Sequence, residues 1–401
     1  MITHTKIISI QKFIFAIFAI YIMSYIFTNA GIDNIILPLL AFSISMIFFV
    51  FGKKIGILAV IVFFKSLVYQ HIIPPINDGG DTGNFNAMML SYDGIVSGIE
   101  MLFHNIQSGY FSSIPPVGFM YYLESVYLNS QELYILIFAN HILFFIATIL
   151  FFKTLNYSNL IDEKYFFVFV LFLNLSPLVN MQISLFLKEA FILFFISVFL
   201  YFSIVRRNYL VLIVIFVFAT MMRQYFSIIL LSYFWFFYGH RFSKKVFIVM
   251  TIIIFLGLLY YQGDGANRLL YIRGILASYG IFLASPNFLR LINWVEHPLA
   301  TFEALVIFIT YIYLFFSKEK QKYIIFQVLI IYSLALGTVA VNETQKYYEK
   351  SGKIMQENTS IRGALGRKKT PIIFLNYYVA YLFFRRVRRK KTKNKNIERK
   401  K

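Results

Sequence analysis

Residues 132–152 read ELYILIFANHILFFIATILFF. After Glu132 no acidic or basic residue appears except His141, and the polar interruptions are Tyr134, Asn140 and Thr148. At about 1.5 Å per residue, a helix of this length covers the ~30 Å hydrocarbon core of a bilayer. Similar runs recur at 13–29, 35–51, 55–70, 165–181, 188–205, 209–222, 225–239, 246–261, 302–317, 323–341 and 371–384. The short pair 209–222 and 225–239 reads as broken or tilted helices. The expected fold class is therefore all-α, a polytopic membrane protein of about twelve transmembrane helices.

Composition agrees. The chain is 59% hydrophobic, 20% aromatic and 14% charged, where a soluble chain would be about a quarter charged; mean hydropathy is +0.70. The net charge of +20 lies in small clusters between spans rather than on one face, so nucleic acid is not an expected partner. With the N-terminus placed in the cytoplasm, Lys53-Lys54, Lys153 with Lys164, Arg206-Arg207, Arg241 with Lys244-Lys245, and Lys318, Lys320 and Lys322 all fall inside. So does the tail from Arg385, and about two thirds of all Lys and Arg then obey the positive-inside rule. The expected layout is one polytopic domain over 1–384, both termini cytoplasmic, with a basic tail over 385–401 that sets topology and touches anionic lipid. The long connections 71–131, 262–301 and 342–370 then lie outside. The first apolar stretch is too long for a signal-peptide core and reads as a retained span. No cysteine is present, which excludes disulfides, zinc–thiolate sites and cysteine nucleophiles.

The first long connection opens with PPINDGGDTGNFN, residues 74–86. Its glycines allow tight turns and close ligand approach. Asp78 and Asp81 supply oxygens for a general base or a divalent cation, or else are solvated turn residues. Farther on, Ile95, Ile99, Leu102 and Ile106 recur at helical spacing opposite Asp93, Glu100 and His104, an amphipathic helix suited to the headgroup region. Ser112-Ser113-Ile114-Pro115-Pro116 breaks it, and an apolar segment from Val117 to Tyr127 follows. Such helices either cover the bundle or frame a groove for a lipid substrate.

Lys188-Glu189 stands at the outer start of a span, where facing lipid is costly and facing protein or a water-filled cavity is expected. Arg223 sits in a turn between two apolar spans and suits capture of phosphate by a bidentate fork, or anchoring at the headgroups. Arg268, Arg273 and Arg290, then Arg362, Arg367, Lys368 and Lys369, place positive charge on the outer face against the usual bias. Binding an anionic substrate is the simplest reason. Lys65 and His141 lie within spans, and a lone intramembrane His is more often hydrogen-bonded in the bundle than catalytic. Together these groups fit an isoprenoid lipid carrying phosphate or diphosphate and a sugar.

Asp81-Thr-Gly-Asn-Phe-Asn-Ala resembles the acidic-loop signature of GT-C-type glycosyltransferases, as does Ser184 through Lys188-Glu189 followed by Arg223. Arg362-Gly-Ala-Leu-Gly-Arg367-Lys-Lys-Thr-Pro371 is similar to the Arg-rich, Pro-containing entry to a late span in those enzymes. In size, span number and large outer loops the chain resembles Wzy-type polymerases of bacterial surface polysaccharide. One departure is that three spans, not one, precede the acidic loop. The resemblance implies a polymerase at the outer face of a bacterial inner membrane, acting on polyprenyl-diphosphate-linked repeat units. Asp81, Asp78 and Glu189 would be catalytic, and Lys188, Arg223, Arg268, Arg273, Arg362 and Arg367 would bind substrate. Membrane lipid and polysaccharide-assembly proteins such as a chain-length regulator would be partners, no organic cofactor is expected, and a divalent cation can sit at Asp78 and Asp81. The alternatives are a GT-C transferase adding one sugar from a polyprenyl-phosphate donor, and a flippase of lipid-linked oligosaccharide.

Overall fold

The computed structural model describes residues 4–29, 36–72, 80–107, 112–185, 187–223, 226–261, 263, 265–284, 288–289, 291–351 and 370–398. Every described element is helical. Spatial contacts divide the chain into two units: Met1–Leu175 with Val179–Gln224, and Ser176–Leu178 with Tyr225–Lys401.

The first unit holds α1 (His4–Asn29), α2 (Ile36–Phe51), α3 (Lys53–Ile72), α4 (Gly80–Leu90), α5 (Ile95–Gln107), α6 (Ile114–Leu128), α7 (Leu133–Tyr157), α8 (Phe166–Asn174), most of α9 (Pro177–Ser184), α10 (Glu189–Tyr201) and α11 (Tyr209–Met222). Gly52 at φ +81° turns the chain between α2 and α3, a backbone state that suits glycine. The expected amphipathic helix is α5, and the expected break and second segment are the start and body of α6. Pro115 and Pro116 occupy the first turn of α6, where a missing N–H costs nothing. Asn129 closes it in the left-handed conformation, as helix C-termini prefer. The predicted connection 71–131 is thus a layer of three short helices.

α7 is the central helix of this unit, with Phe144, Phe145, Phe151 and Phe152 almost wholly enclosed, and it packs along α10 and α3. The span expected over 165–181 is instead α8 and α9, bent by 53° at Leu175-Ser176. Pro177 is the cause: it has no N–H to donate back, and its ring disfavours helical geometry at Ser176.

The second unit holds α12 (Phe226–Tyr238), α13 (Lys244–Tyr261), α14 (Gly265–Ala284), α15 (Leu291–Glu296), α16 (Pro298–Phe316), α17 (Lys322–Ser351) and α18 (Ile373–Glu398). α14 lies within the expected outer connection 262–301 and packs along α17. Gly337 permits that approach, because a Cβ there would lie 2.7 Å from the Tyr271 ring. Tyr311 donates to Asn376 Oδ1 at 2.8 Å and ties α16 to α18. Glu303 on α16 accepts from the Ser176 hydroxyl at 2.7 Å, the Leu178 N–H at 2.9 Å and the Tyr377 hydroxyl at 3.1 Å, so a carboxylate serves an orphan N–H at the start of α9. The apolar stretch 371–384 and the basic tail run together as α18.

Among the described residues, Leu133–Tyr157, Glu189–Arg206 and Pro298–Phe316 are long and apolar enough to cross a membrane, and the bent pair Glu163–Asn174 with Pro177–Ser184 adds a fourth if counted as one span. Shorter apolar helices cover Ile14–Ile26, Tyr209–Met222, Lys245–Tyr261 and Lys322–Leu334. The all-helical, membrane-type architecture expected from the sequence is therefore present at this coarser level.

Close packing of the short-helix layer gives a test. A Cβ at Gly118 on α6 would sit 2.7 Å from Cγ and 2.8 Å from Cβ of Met88 on α4. We expect Gly118→Leu to loosen α4 from α6, overpacking of this kind costing about 1–3 kcal/mol. Limited proteolysis should show new cleavage near α4, whereas Gly257→Ala, with nothing within 4 Å of the added carbon, should leave the digest unchanged.

Candidate functional site

The polar cluster of the first unit forms where α6, α7, α10 and α11 meet. Its position follows from apolar packing. Met221 near the end of α11 joins Tyr92, Leu102 and Phe119 in one cluster, with Met88, Tyr122, Leu123 and Phe218 packed around it. The Tyr92 hydroxyl donates to Pro115 O at 2.9 Å, and Asn105 exchanges two hydrogen bonds with Ser112 at 3.0 and 3.2 Å. The three short helices are thereby fixed to one another and to the end of α11.

Arg223 follows that end directly. Its backbone is extended and its N–H donates to Ala219 O at 3.0 Å, so the helix stops and the side chain turns inward. One guanidinium nitrogen donates to Glu189 Oε1 at 2.8 Å. Arg223 is 6% exposed and Glu189 is fully enclosed. Glu189 opens α10, where the positive end of the helix favours a carboxylate. Its neighbour Lys188, half-buried, donates from Nζ to Ser113 Oγ at 2.8 Å, linking the start of α10 to the start of α6.

Tyr121 extends the cluster. Its hydroxyl donates to Leu187 O at 3.0 Å and accepts from Asn140 Nδ2 at 2.9 Å, and its ring meets Phe191 edge-on. Burial raises the Tyr121 hydroxyl well above its ordinary range. Glu124 lies one turn farther along α6. Its Oε2 is buried with no hydrogen-bond partner, and burial pushes its carboxyl well above the usual range, which favours the neutral form.

Lys188, Glu189 and Arg223, singled out as separate features of the sequence, are thus brought together. Asp81 lies in the first turn of α4, not in a free turn; Asp78, Arg290, Arg362, Arg367, Lys368 and Lys369 lie outside the described residues. Arg268 and Arg273 are exposed on α14 of the second unit. The candidate cation site at Asp78 and Asp81 includes an undescribed residue, and among the described residues no group of three His, Asp or Glu is placed to hold a metal. Tyr121, Glu124, Asn140 and Ser113 were not foreseen; the signal for the first two was an i, i+3 polar pair within an apolar segment. No family model, curated protein or solved structure matches the chain.

The ion pair predicts an asymmetry. Removing one partner strands a buried charge at a cost of roughly 3–5 kcal/mol, whereas replacing both by apolar groups is often neutral. Arg223→Met alone and Glu189→Met alone should each lower the amount of folded protein in fluorescence size-exclusion profiles, and the double Met variant should recover it. Equal loss in all three would show that the pair is not what stabilises this region.

Glu124 predicts a pH dependence. Its folded-state pKa is raised, so the folded chain keeps a proton that the unfolded chain releases. The resulting stability is fully present below the ordinary carboxylate range and is lost as pH rises from there towards the raised value. Between about pH 5 and about pH 8 the wild-type melting temperature should fall more steeply than that of Glu124→Gln; parallel curves would contradict a protonated Glu124.

Proposed function

We propose that this chain is a polysaccharide polymerase of the inner membrane of a bacterium, joining polyprenyl-diphosphate-linked repeat units at the outer face. The observation that carries the proposal is the gathering of Lys188, Glu189 and Arg223 at helix ends beneath the α4–α6 layer. A lipid substrate needs apolar helices on which to lie, its diphosphate needs cations at the membrane boundary, and its sugars need a covered outer surface. In this reading the chain crosses the membrane about twelve times, keeps both termini in the cytoplasm, and works with other assembly proteins such as a chain-length regulator.

The acceptor hydroxyl attacks the anomeric carbon of the growing glycan, and the bond from that carbon to the diphosphate oxygen breaks. The hydroxyl proton passes to a carboxylate, with Asp81 as the candidate, and the lipid diphosphate leaves as an anion. Lys188 and Arg223 stabilise the charge that grows on the leaving oxygen. Glu189 holds the guanidinium plane in place, so the fork does not have to be ordered when substrate arrives.

Arg223→Lys retains a charge for Glu189 but not the planar fork. We expect it to accumulate normally and to make polymer at least about tenfold more slowly, with unpolymerised lipid-linked units left behind. Asp81→Asn should reduce polymer on the order of 10²–10⁴-fold at unchanged protein level. Wild-type polymer from both variants would remove the proposal. One observation favours a second reading, flipping of the lipid-linked unit: α8 and α9 form a bent span with a buried lysine at the bend, and interrupted helices are common at transporter sites. Lipid-linked units trapped on the cytoplasmic leaflet of a deletion strain would select that reading instead.

A further inference from the structure

Lys65 projects from α3 into the first unit and is 8% exposed. Its Nζ donates to Asn174 O at 3.0 Å and to Asn180 Oδ1 at 2.6 Å. Asn174 is the last residue of α8, so its carbonyl has no helical N–H to accept. The same carbonyl accepts from Asn180 Nδ2 at 2.8 Å. Asn174 is itself held, its Nδ2 donating to Thr148 Oγ1 and Val170 O, each at 2.8 Å. His141, within electrostatic reach of Lys65, meets Ser184 Oγ at 3.3 Å. Asn174, Asn180, His141, Ser184 and Thr148 are all fully enclosed.

Among the described residues no carboxylate forms an ion pair with Lys65. Its charge is met by the oxygen ends of dipoles: a main-chain carbonyl at the negative end of a helix and an amide side chain. Such oxygens are what a desolvated monovalent cation coordinates where a membrane helix is interrupted. Burying an ammonium in apolar surroundings is costly without compensation of this kind.

We infer that the interruption between α8 and α9 is a monovalent-cation site occupied by the chain's own Lys65 ammonium, a tethered ion that fixes the bend. The cation is covalently supplied, so the wild-type protein does not depend on dissolved Na⁺ or K⁺ to hold this shape. Truncating the lysine to alanine leaves the oxygens facing the emptied path of the side chain, whose inner end can take a small cation.

The test uses the detergent-solubilised full chain and thermal unfolding in NaCl, KCl or choline chloride at equal ionic strength. The wild type should unfold at one temperature in all three. Lys65→Ala should unfold lower in choline chloride and recover by about 3 °C or more, saturably, in NaCl or KCl, while Lys65→Met, which fills the space, should be lower in all three. A Lys65→Ala protein indifferent to cation identity overturns the inference, as does a wild type that responds to it. If Lys65→Ala does not fold, accumulation of Lys65→Arg and Lys65→Gln decides. Arg accumulating and Gln failing supports a tethered cation; any other pairing overturns it, since Arg keeps a positive charge and Gln, one bond shorter, offers polar donors without one.

Discussion

A charge enclosed among apolar helices has to bring its own solvation with it, because neither lipid nor aromatic side chains replace water. In the first unit that constraint shapes the surroundings of three buried groups. Arg223 meets it with Glu189 at 2.8 Å, Lys65 with backbone and amide oxygens, and Tyr121 with a carbonyl on one side and an amide on the other. Each solution recruits residues from different helices, so the polar contacts also decide which helices lie together.

The short-helix layer depends on the same economy at lower charge. α4, α5 and α6 are too short to span a bilayer and too apolar to stand in water. They survive by packing Tyr92, Leu102 and Phe119 against Met221 and by hydrogen bonds from Tyr92 to Pro115 O and from Asn105 to Ser112 O. Ile95, Val96 and Phe103 of α5 remain 50–70% exposed, the amphipathic surface a headgroup region accepts. Apolar packing brings the chain to the point where Arg223 emerges, and the ion pair then fixes the direction in which it points.

The sequence made much of this legible. Spacing at Ile95, Ile99 and Leu102 anticipated α5, and Pro115-Pro116 marked where α6 begins, because periodicity and proline act locally. Lys188-Glu189 and Arg223 stood out because ionisable residues are rare at the edges of such apolar runs. What joins them was hidden, since Glu189 and Arg223 are separated by the whole of α10 and α11 and no local rule couples them. Glu124 escaped notice for a different reason: its pairing with Tyr121 at i, i+3 lay within an apolar segment, and a carboxylate outside the long spans draws attention only once burial removes its water. The bend after α8 was written in Ser176-Pro177, but the apolar run through it masked the proline.

Arg223 and Lys65 answer one constraint in ways that lead to different consequences. A guanidinium paired with a carboxylate is nearly neutral as a unit, so it can sit at the intact end of a helix. An ammonium held by dipoles keeps its full charge and needs several oxygens that no helix N–H already uses. Regular α-helix offers none, because every interior carbonyl is committed to the N–H four residues on. Free carbonyls exist only where a helix ends, and inside an apolar bundle a helix ends only if something interrupts it. Pro177 and Lys65 therefore belong together: the proline ends the helical run, the Leu178 N–H that would have met the Asn174 carbonyl goes to Glu303, and the lysine makes the exposed carbonyl tolerable.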